Sequence, residues 1–108
     1  RAYCLLFIND DKETNGLYER DIAVRTGSRG SILIIKPKSI WTFPDNQPIL
    51  GDPIKFESLN SLSPFKMCFI IFGDTTEHTF RSALNIADYY FDIQIEQVFA
   101  SSNITDIT

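Results

Sequence analysis

The segment from Lys66 to Glu96 constrains the fold more than any other part of the sequence. Lys66 to Phe72 is an apolar run typical of a buried strand, and Gly73-Asp74 predicts a turn after it. An amphipathic helix is expected over about 75–91. Ile93 to Glu96 then alternates apolar and polar side chains, as a half-exposed strand does. The segment therefore predicts a strand, a helix and a second strand.

Side-chain spacing assigns the two faces of this helix. Asp74 is the predicted N-cap, and Glu77 lies three residues later as in a capping box. The apolar positions recur at intervals of three, four and seven and are Phe80, Ala83, Leu84, Ala87, Tyr90 and Phe91. The polar positions are Glu77, Arg81, Ser82, Asn85, Asp88 and Asp92. We expect the apolar side to pack on a sheet and the acidic side to face solvent.

Three further strands are predicted before this segment. Ala2 to Ile8 is almost continuously apolar, which indicates a central strand covered on both faces. Leu17 to Val24 has interleaved charges and predicts a strand with one face in water, and Ser31 to Ile35 predicts another buried strand. Gly27-Ser28-Arg29-Gly30 between them predicts a chain reversal. Ser39 to Phe43, which follows Pro37, is expected to bend away or to lie on a sheet edge.

These elements predict one small α+β domain with a mostly antiparallel sheet of five or six strands, or a small barrel, covered by the C-terminal helix. The 108 residues suit a single core, and the absence of an initiator Met suggests a domain excised from a longer protein. Prolines and Gly51 between Pro44 and Pro64 predict a long connection, in which only Ile54 to Leu62 could hold a helical turn. The helix 75–91 could make its flanking strands parallel, through a right-handed crossover, or leave them antiparallel.

The residues carry no recognisable catalytic or metal-binding motif. Cys4 and Cys68 lie in apolar runs, which favours buried free thiols, with a disulfide as the alternative. His78 is expected on the polar side of the helix, away from both thiols, so a Cys–His dyad is not predicted. The acidic loop from Asp10 to Gly16 lacks the spacing of an EF-hand. The sequence predicts no metal and no cofactor.

Charge is distributed unevenly along the chain and supplies the candidate binding residues. The net charge is −4, but the segment 20–38 is basic and 74–108 is acidic. Within a predicted hairpin over 20–38, the basic candidates are Arg20, Arg25, Arg29, Lys36 and Lys38, with Trp41 as an adjacent aromatic platform. Asp88 and Asp92 are the candidates on the acidic helical face.

Two parts of the chain resemble known families. The run from Phe65 to Asn103 resembles the opening half of non-catalytic thioredoxin-like domains of the disulfide-isomerase family, without a CxxC. This resemblance implies a thioredoxin-like α/β layer. Ala2 to Phe43 is similar in rhythm to a small OB-type barrel, with Gly30-Ser31-Ile32-Leu33-Ile34 where such barrels often restart a strand. That resemblance implies binding of single-stranded nucleic acid.

A non-enzymatic protein-interaction module within a larger protein or assembly is the function that we expect. Its expected partner is another protein or a neighbouring domain, because the net negative charge disfavours nucleic acid. An OB-like module that binds a nucleic-acid single strand through the hairpin 20–38 is the alternative, and a thiol-dependent enzyme is the second. No apolar run approaches the length of a membrane span. An intracellular location is slightly favoured.

Overall fold

The computed structural model describes residues 2–10, 12–37, 40–45, 47 and 65–98. The elements within these ranges are β1 (Ala2–Ile8), α1 (Leu17–Arg25), β2 (Gly30–Ile35), β3 (Met67–Gly73), α2 (Thr76–Ala87) and β4 (Ile93–Val98). Neither of the two helices has the length and apolar character needed to cross a bilayer.

The four strands form one sheet in the order β2-β3-β1-β4, and each neighbouring pair is antiparallel. β3 and β4 therefore run in the same direction with β1 between them, and α2 connects them as a split β-α-β unit. β1 and β2 also run in the same direction, with β3 between them, and α1 connects them as a second split β-α-β unit. Two such units in one sheet give the topology of ferredoxin-like domains. The predicted α+β class with an antiparallel sheet is confirmed. A sheet of five or six strands is not confirmed, because the described sheet has four.

The described sheet also differs from both resemblances. It is open, with β2 and β4 at its two ends, so these residues do not form a closed OB-type barrel. Its neighbouring strands are all antiparallel, so the described part lacks the parallel neighbours of a thioredoxin-like layer.

β1 is central, as predicted, and its side chains contribute to a core on each face of the sheet. Cys4, Leu6 and Ile8 point to the side that carries the helices, where they pack with Phe69, Ile86 and other residues in the helix-side core. Tyr3, Leu5 and Phe7 belong to the second core, together with Trp41, Cys68 and Ile70. All seven residues of β1 are buried, which explains why its sequence is apolar without alternation.

The predicted strand over Leu17–Val24 is wrong, because 17–25 is a helix. Its buried residues are Glu19, Ile22 and Ala23, and their spacing of three and four is helical. Because one of these buried positions is Glu19, the apolar stripe by which a helix is recognised is incomplete in the sequence. In the described part of the predicted basic hairpin, residues 20–37, the chain consequently forms the end of a helix, a loop, the strand β2 and two residues after it.

The predicted C-terminal helix is confirmed, with different ends and a rotated buried face. Thr75 is the N-cap, and its Oγ1 accepts a hydrogen bond of 3.1 Å from the backbone N–H of His78. Asp74 instead accepts a hydrogen bond of 2.7 Å from Nε of Arg29, so the predicted cap is wrong. The buried residues of α2 are Thr79, Ser82, Ala83, Ile86 and Ala87. Phe80 and Leu84 are 37% and 46% exposed.

The loops confirm one predicted turn and leave several predictions outside the described residues. Gly27 has φ of +104°, the left-handed conformation that a glycine adopts without strain, and the chain reverses between α1 and β2. Thr42, in the segment expected to bend away or to lie on a sheet edge, pairs with Ile35 at the outer edge of β2. Lys38 and the predicted helical turn over 54–62 lie outside the described residues.

Candidate functional site

The basic candidates do not form one strip. Arg20 and Arg25 are exposed on α1. Arg29 follows that helix, and its hydrogen bond with Asp74 raises the pKa of its guanidinium. The Nζ of Lys36 lies 5.1 Å from the ring centroid of Trp41. Trp41 itself is 7% exposed and packs against Phe7, with 6.4 Å between ring centroids. It belongs to the second core, so it cannot offer the open face on which a base would stack.

Three hydroxyl groups fix the position of α1 against α2. Oγ of Ser82 lies 2.6 Å from Oγ1 of Thr26 and 2.6 Å from Oγ of Ser28. Ser82 also lies 3.2 Å from the carbonyl oxygen of Ala23, to which it can donate. Because Ser82 is fully buried, these bonds are shielded from water and hold the two helices in a defined arrangement.

The solvent side of this helix pair contains a groove of about 290 Å³. It is lined by Ile22, Arg25 and Thr26 from α1 and its end, and by Asn85, Asp88 and Tyr89 from α2 and the turn after it. The groove brings together Arg25 and Asp88, which the sequence had placed on two different surfaces. Nε of Arg25 donates to the carbonyl oxygen of Asp21 at 3.4 Å, which aligns the guanidinium with its own helix.

Asp92, the other acidic candidate, does not line this groove. It lies just before β4 with φ of +51°. Its Oδ2 accepts a hydrogen bond of 3.1 Å from the side-chain amide of Asn9, and its carbonyl oxygen accepts one from the backbone N–H of the same residue. Asp92 therefore holds the turn before β4 against the end of β1.

Sequence reasoning did not predict that Tyr18 contacts Tyr89, which lines the groove. The rings of Tyr18 and Tyr89 meet edge to face with 5.4 Å between centroids, and the Tyr18 hydroxyl donates to the Tyr89 hydroxyl at 2.9 Å. Tyr18 is 52% exposed and Tyr89 is 46% exposed, so both rings are accessible. No local pattern links residues 71 positions apart, which is why the pair was missed.

The buried carboxylate of Glu19 holds the residue next to Tyr89, Tyr90, in place. Glu19 is 2% exposed, and it accepts hydrogen bonds from the hydroxyls of Thr14, at 2.8 Å, and Tyr90. Burial and the bond with Glu19 raise the pKa of Tyr90 well above its ordinary range. The Nζ of Lys12 lies 5.6 Å from the ring centroid of Tyr89 and 5.0 Å from that of Tyr90. The loop before α1 is thereby attached to the end of α2.

The thiols and His78 are not arranged as a nucleophile and a base. Cys4 and Cys68 are free and buried in the cores on opposite faces of the sheet. Burial raises the pKa of Cys4 to about 12 and that of Cys68 well above its ordinary value. His78 is on α2, on the face opposite the core that contains Cys68. Within the described ranges, no group of three or more His, Cys, Asp or Glu side chains could hold a metal ion.

The residues that line the groove are groups that recognise ligands. A guanidinium, a carboxylate, an amide and a phenol surround one groove, and all of them can form ion pairs or hydrogen bonds with a ligand. Comparison with known proteins adds no further assignment: no protein-family model, no curated protein and no solved structure matches the chain.

Proposed function

We propose that this chain is a non-enzymatic protein-interaction domain that binds its partner through the helix-pair surface, defined as Tyr18, Arg25, Asn85, Asp88 and Tyr89. The observation that carries the proposal is the groove in which Arg25 and Asp88 lie together. Arginine and tyrosine are enriched at protein interfaces, since both combine a large contact area with hydrogen bonding. The hydroxyl contacts at Ser82 support a pre-ordered surface, which reduces the entropy lost on binding.

The charges of the groove favour a polypeptide partner. A guanidinium and a carboxylate in one groove complement a segment that carries both an acidic and a basic side chain. Such a segment could belong to another protein or to a neighbouring domain. A nucleic-acid strand presents phosphates of one sign, and Asp88 would repel them. The packing of Trp41 in the second core and the pairing of Arg29 with Asp74 further weaken the nucleic-acid alternative.

Selection from a random peptide library displayed on phage tests this proposal with a defined probe. Enriched peptides are synthesised, and their dissociation constants are measured by fluorescence anisotropy. We expect Tyr89→Ala and Arg25→Glu each to weaken binding by about tenfold or more, as at interface hot spots. Arg20→Glu is the matched control, because Arg20 is exposed on the same helix but does not line the groove. It should change binding less than about twofold.

Two results would contradict the proposal. One is the failure of the wild-type domain to enrich any peptide above the Arg25→Glu, Tyr89→Ala double variant. The other is an equal loss of affinity in the Arg20→Glu control. A fluorescent DNA single strand serves as a parallel probe. Binding that falls steeply with salt and is lost on replacing Arg25, Arg29 and Lys36 with Ala would favour the nucleic-acid alternative instead.

A further inference from the structure

β4 forms one end of the described sheet. Within the part of the chain that the structure describes, no strand lies beyond β4, whereas Thr42 pairs with Ile35 at the outer edge of β2. Edge strands are commonly protected from pairing by lysine, proline or a bulge. β4 has the sequence Ile-Gln-Ile-Glu-Gln-Val, with neither lysine nor proline, and its pairing with β1 runs without a bulge from Ile93 to Val98. Glu96 is its single charged residue.

An exposed apolar stripe lies on the same side of the molecule as this edge. Phe80 and Leu84, one turn apart on α2, are 37% and 46% exposed. They lie on a different flank of α2 from Ser82, which contacts the end of α1. Because α1 packs over β2, at the opposite end of the sheet, the flank with Phe80 and Leu84 faces the β4 side. We include in this stripe Phe91, which lies two residues before β4, and Ile93, the first residue of β4; they are 84% and 37% exposed.

We propose that β4 pairs antiparallel with β4 of a second copy of this chain, with the twofold axis at Ile95, to form a dimer with a continuous eight-stranded sheet. The dimer pairs the backbone groups along the β4 edge. It also places the apolar stripes of both copies on one face of the joined sheet, on either side of the axis. Apolar surface that is half exposed in one chain is then buried between two.

The charges of β4 select this register. With the axis at Ile95, Glu96 lies opposite Gln94 of the second copy, and an amide can donate to the carboxylate. If one β4 strand is shifted by two residues along the other, Glu96 lies opposite Glu96 of the second copy. A shift by two residues in the other direction places Asp92 opposite Glu96 of the second copy. Like charges directly opposite each other destabilise a strand pair. A shift by one residue is disfavoured because it would align Ile93 and Ile95, on the helix side, with side chains of the other face.

Sedimentation equilibrium of the 108-residue chain over a concentration series tests the proposal. We expect a monomer–dimer equilibrium whose dissociation constant depends on the charge at Gln94, which is exposed. Gln94→Glu places two symmetric carboxylate pairs across the axis and should weaken the dimer by about tenfold. Gln94→Lys should strengthen it several-fold, since each lysine then faces Glu96. Gln47, which is exposed and outside the sheet, provides the controls Gln47→Glu and Gln47→Lys, and neither should change the constant.

A second variant tests the apolar stripe without disturbing the fold. Phe91→Ser should weaken the dimer, and it should leave the melting temperature of the monomer unchanged because Phe91 is 84% exposed. A chain that stays monomeric at all concentrations overturns the proposal. So does a dimer that responds in the same direction to Gln94→Glu and Gln94→Lys, or that responds equally to the Gln47 controls.

Discussion

The hydroxyl of Tyr90 donates a hydrogen bond to the buried carboxylate of Glu19. The two residues are 71 positions apart, and their contact connects the first turn of α1 to the chain just after α2. A carboxylate that is 2% exposed needs hydrogen-bond donors, because burial without them is costly. Tyr90 and Thr14 supply these donors, and Tyr90 also packs its ring against Phe69, 5.9 Å away between centroids.

Removal of the Tyr90 hydroxyl should therefore destabilise the domain. Tyr90→Phe keeps the packing but leaves one oxygen of Glu19 without this donor, and we expect it to lower the free energy of unfolding by about 1–3 kcal/mol. Tyr18→Phe removes an exposed hydroxyl bond and should cost less than about 0.5 kcal/mol. Urea unfolding of the two variants measures the difference. Equal losses would show that burial of Glu19 does not depend on Tyr90.

The buried face of α2 predicts a second stability contrast. Ile86 is fully buried, so Ile86→Ala should cost about 2–5 kcal/mol. Leu84 is 46% exposed, so Leu84→Ala should cost about 1 kcal/mol. The apolar spacing of the sequence had placed Leu84 on the face that packs on the sheet. Thermal or urea unfolding at low protein concentration checks the order, and a larger loss for Leu84→Ala would reverse the assignment of the helix faces.

The buried face of α2 was mispredicted because polar side chains occupy it. Thr79 and Ser82 are fully buried, and both form hydrogen bonds that compensate for their burial. Sequence patterning treats such residues as solvent-facing, so the predicted buried face included Phe80 and Leu84 in place of Thr79 and Ser82. The helix α1 was not predicted for the same reason, because the charged residue Glu19 occupies one of its buried positions. The strands β1, β2, β3 and β4 were found because apolar runs or alternation mark each of them locally.

Strand order and the groove depend on contacts between distant parts of the chain. Arg25 and Asp88 were both selected from charge alone, but on different surfaces. They line one groove because α1 packs on α2. The sequence analysis could not find this groove, because it predicted a strand over 17–24 in place of α1. Nζ of Lys36 lies over the ring of Trp41, another of the candidate residues. The ring itself is in the second core, a position that the apolar residues around it do not reveal locally.

Asp92 allows a test of backbone strain. Its φ of +51° is tolerated by Asp, Asn and Gly and is costly for a β-branched residue. Asp92→Val should lower the free energy of unfolding by about 1–2 kcal/mol. The matched change Asp88→Val, at a residue with φ of −59°, should cost less than about 0.5 kcal/mol. Melting temperatures measured for both variants check this prediction. Equal melting temperatures would show that the left-handed conformation at residue 92 costs a valine nothing.

The buried thiols make stability depend on pH in the alkaline range. Burial raises the pKa of Cys4 to about 12, and it raises that of Cys68 well above its ordinary value. In the unfolded chain both thiols ionise near pH 9, whereas in the folded chain they stay protonated. The unfolded state therefore binds fewer protons above this pH, so the stabilising contribution is complete below about pH 9 and is lost as the pH rises toward about 12. We expect the free energy of unfolding, measured in urea from about pH 8 to about pH 11, to fall with pH. The fall should be shallower in a Cys4→Ala, Cys68→Ala variant, whatever its stability at neutral pH. If the free energy of unfolding of this variant falls with pH as steeply as that of the wild type, the two thiols ionise equally in the folded and unfolded states. That result would contradict the prediction, because burial of Cys4 and Cys68 disfavours the thiolates in the folded state.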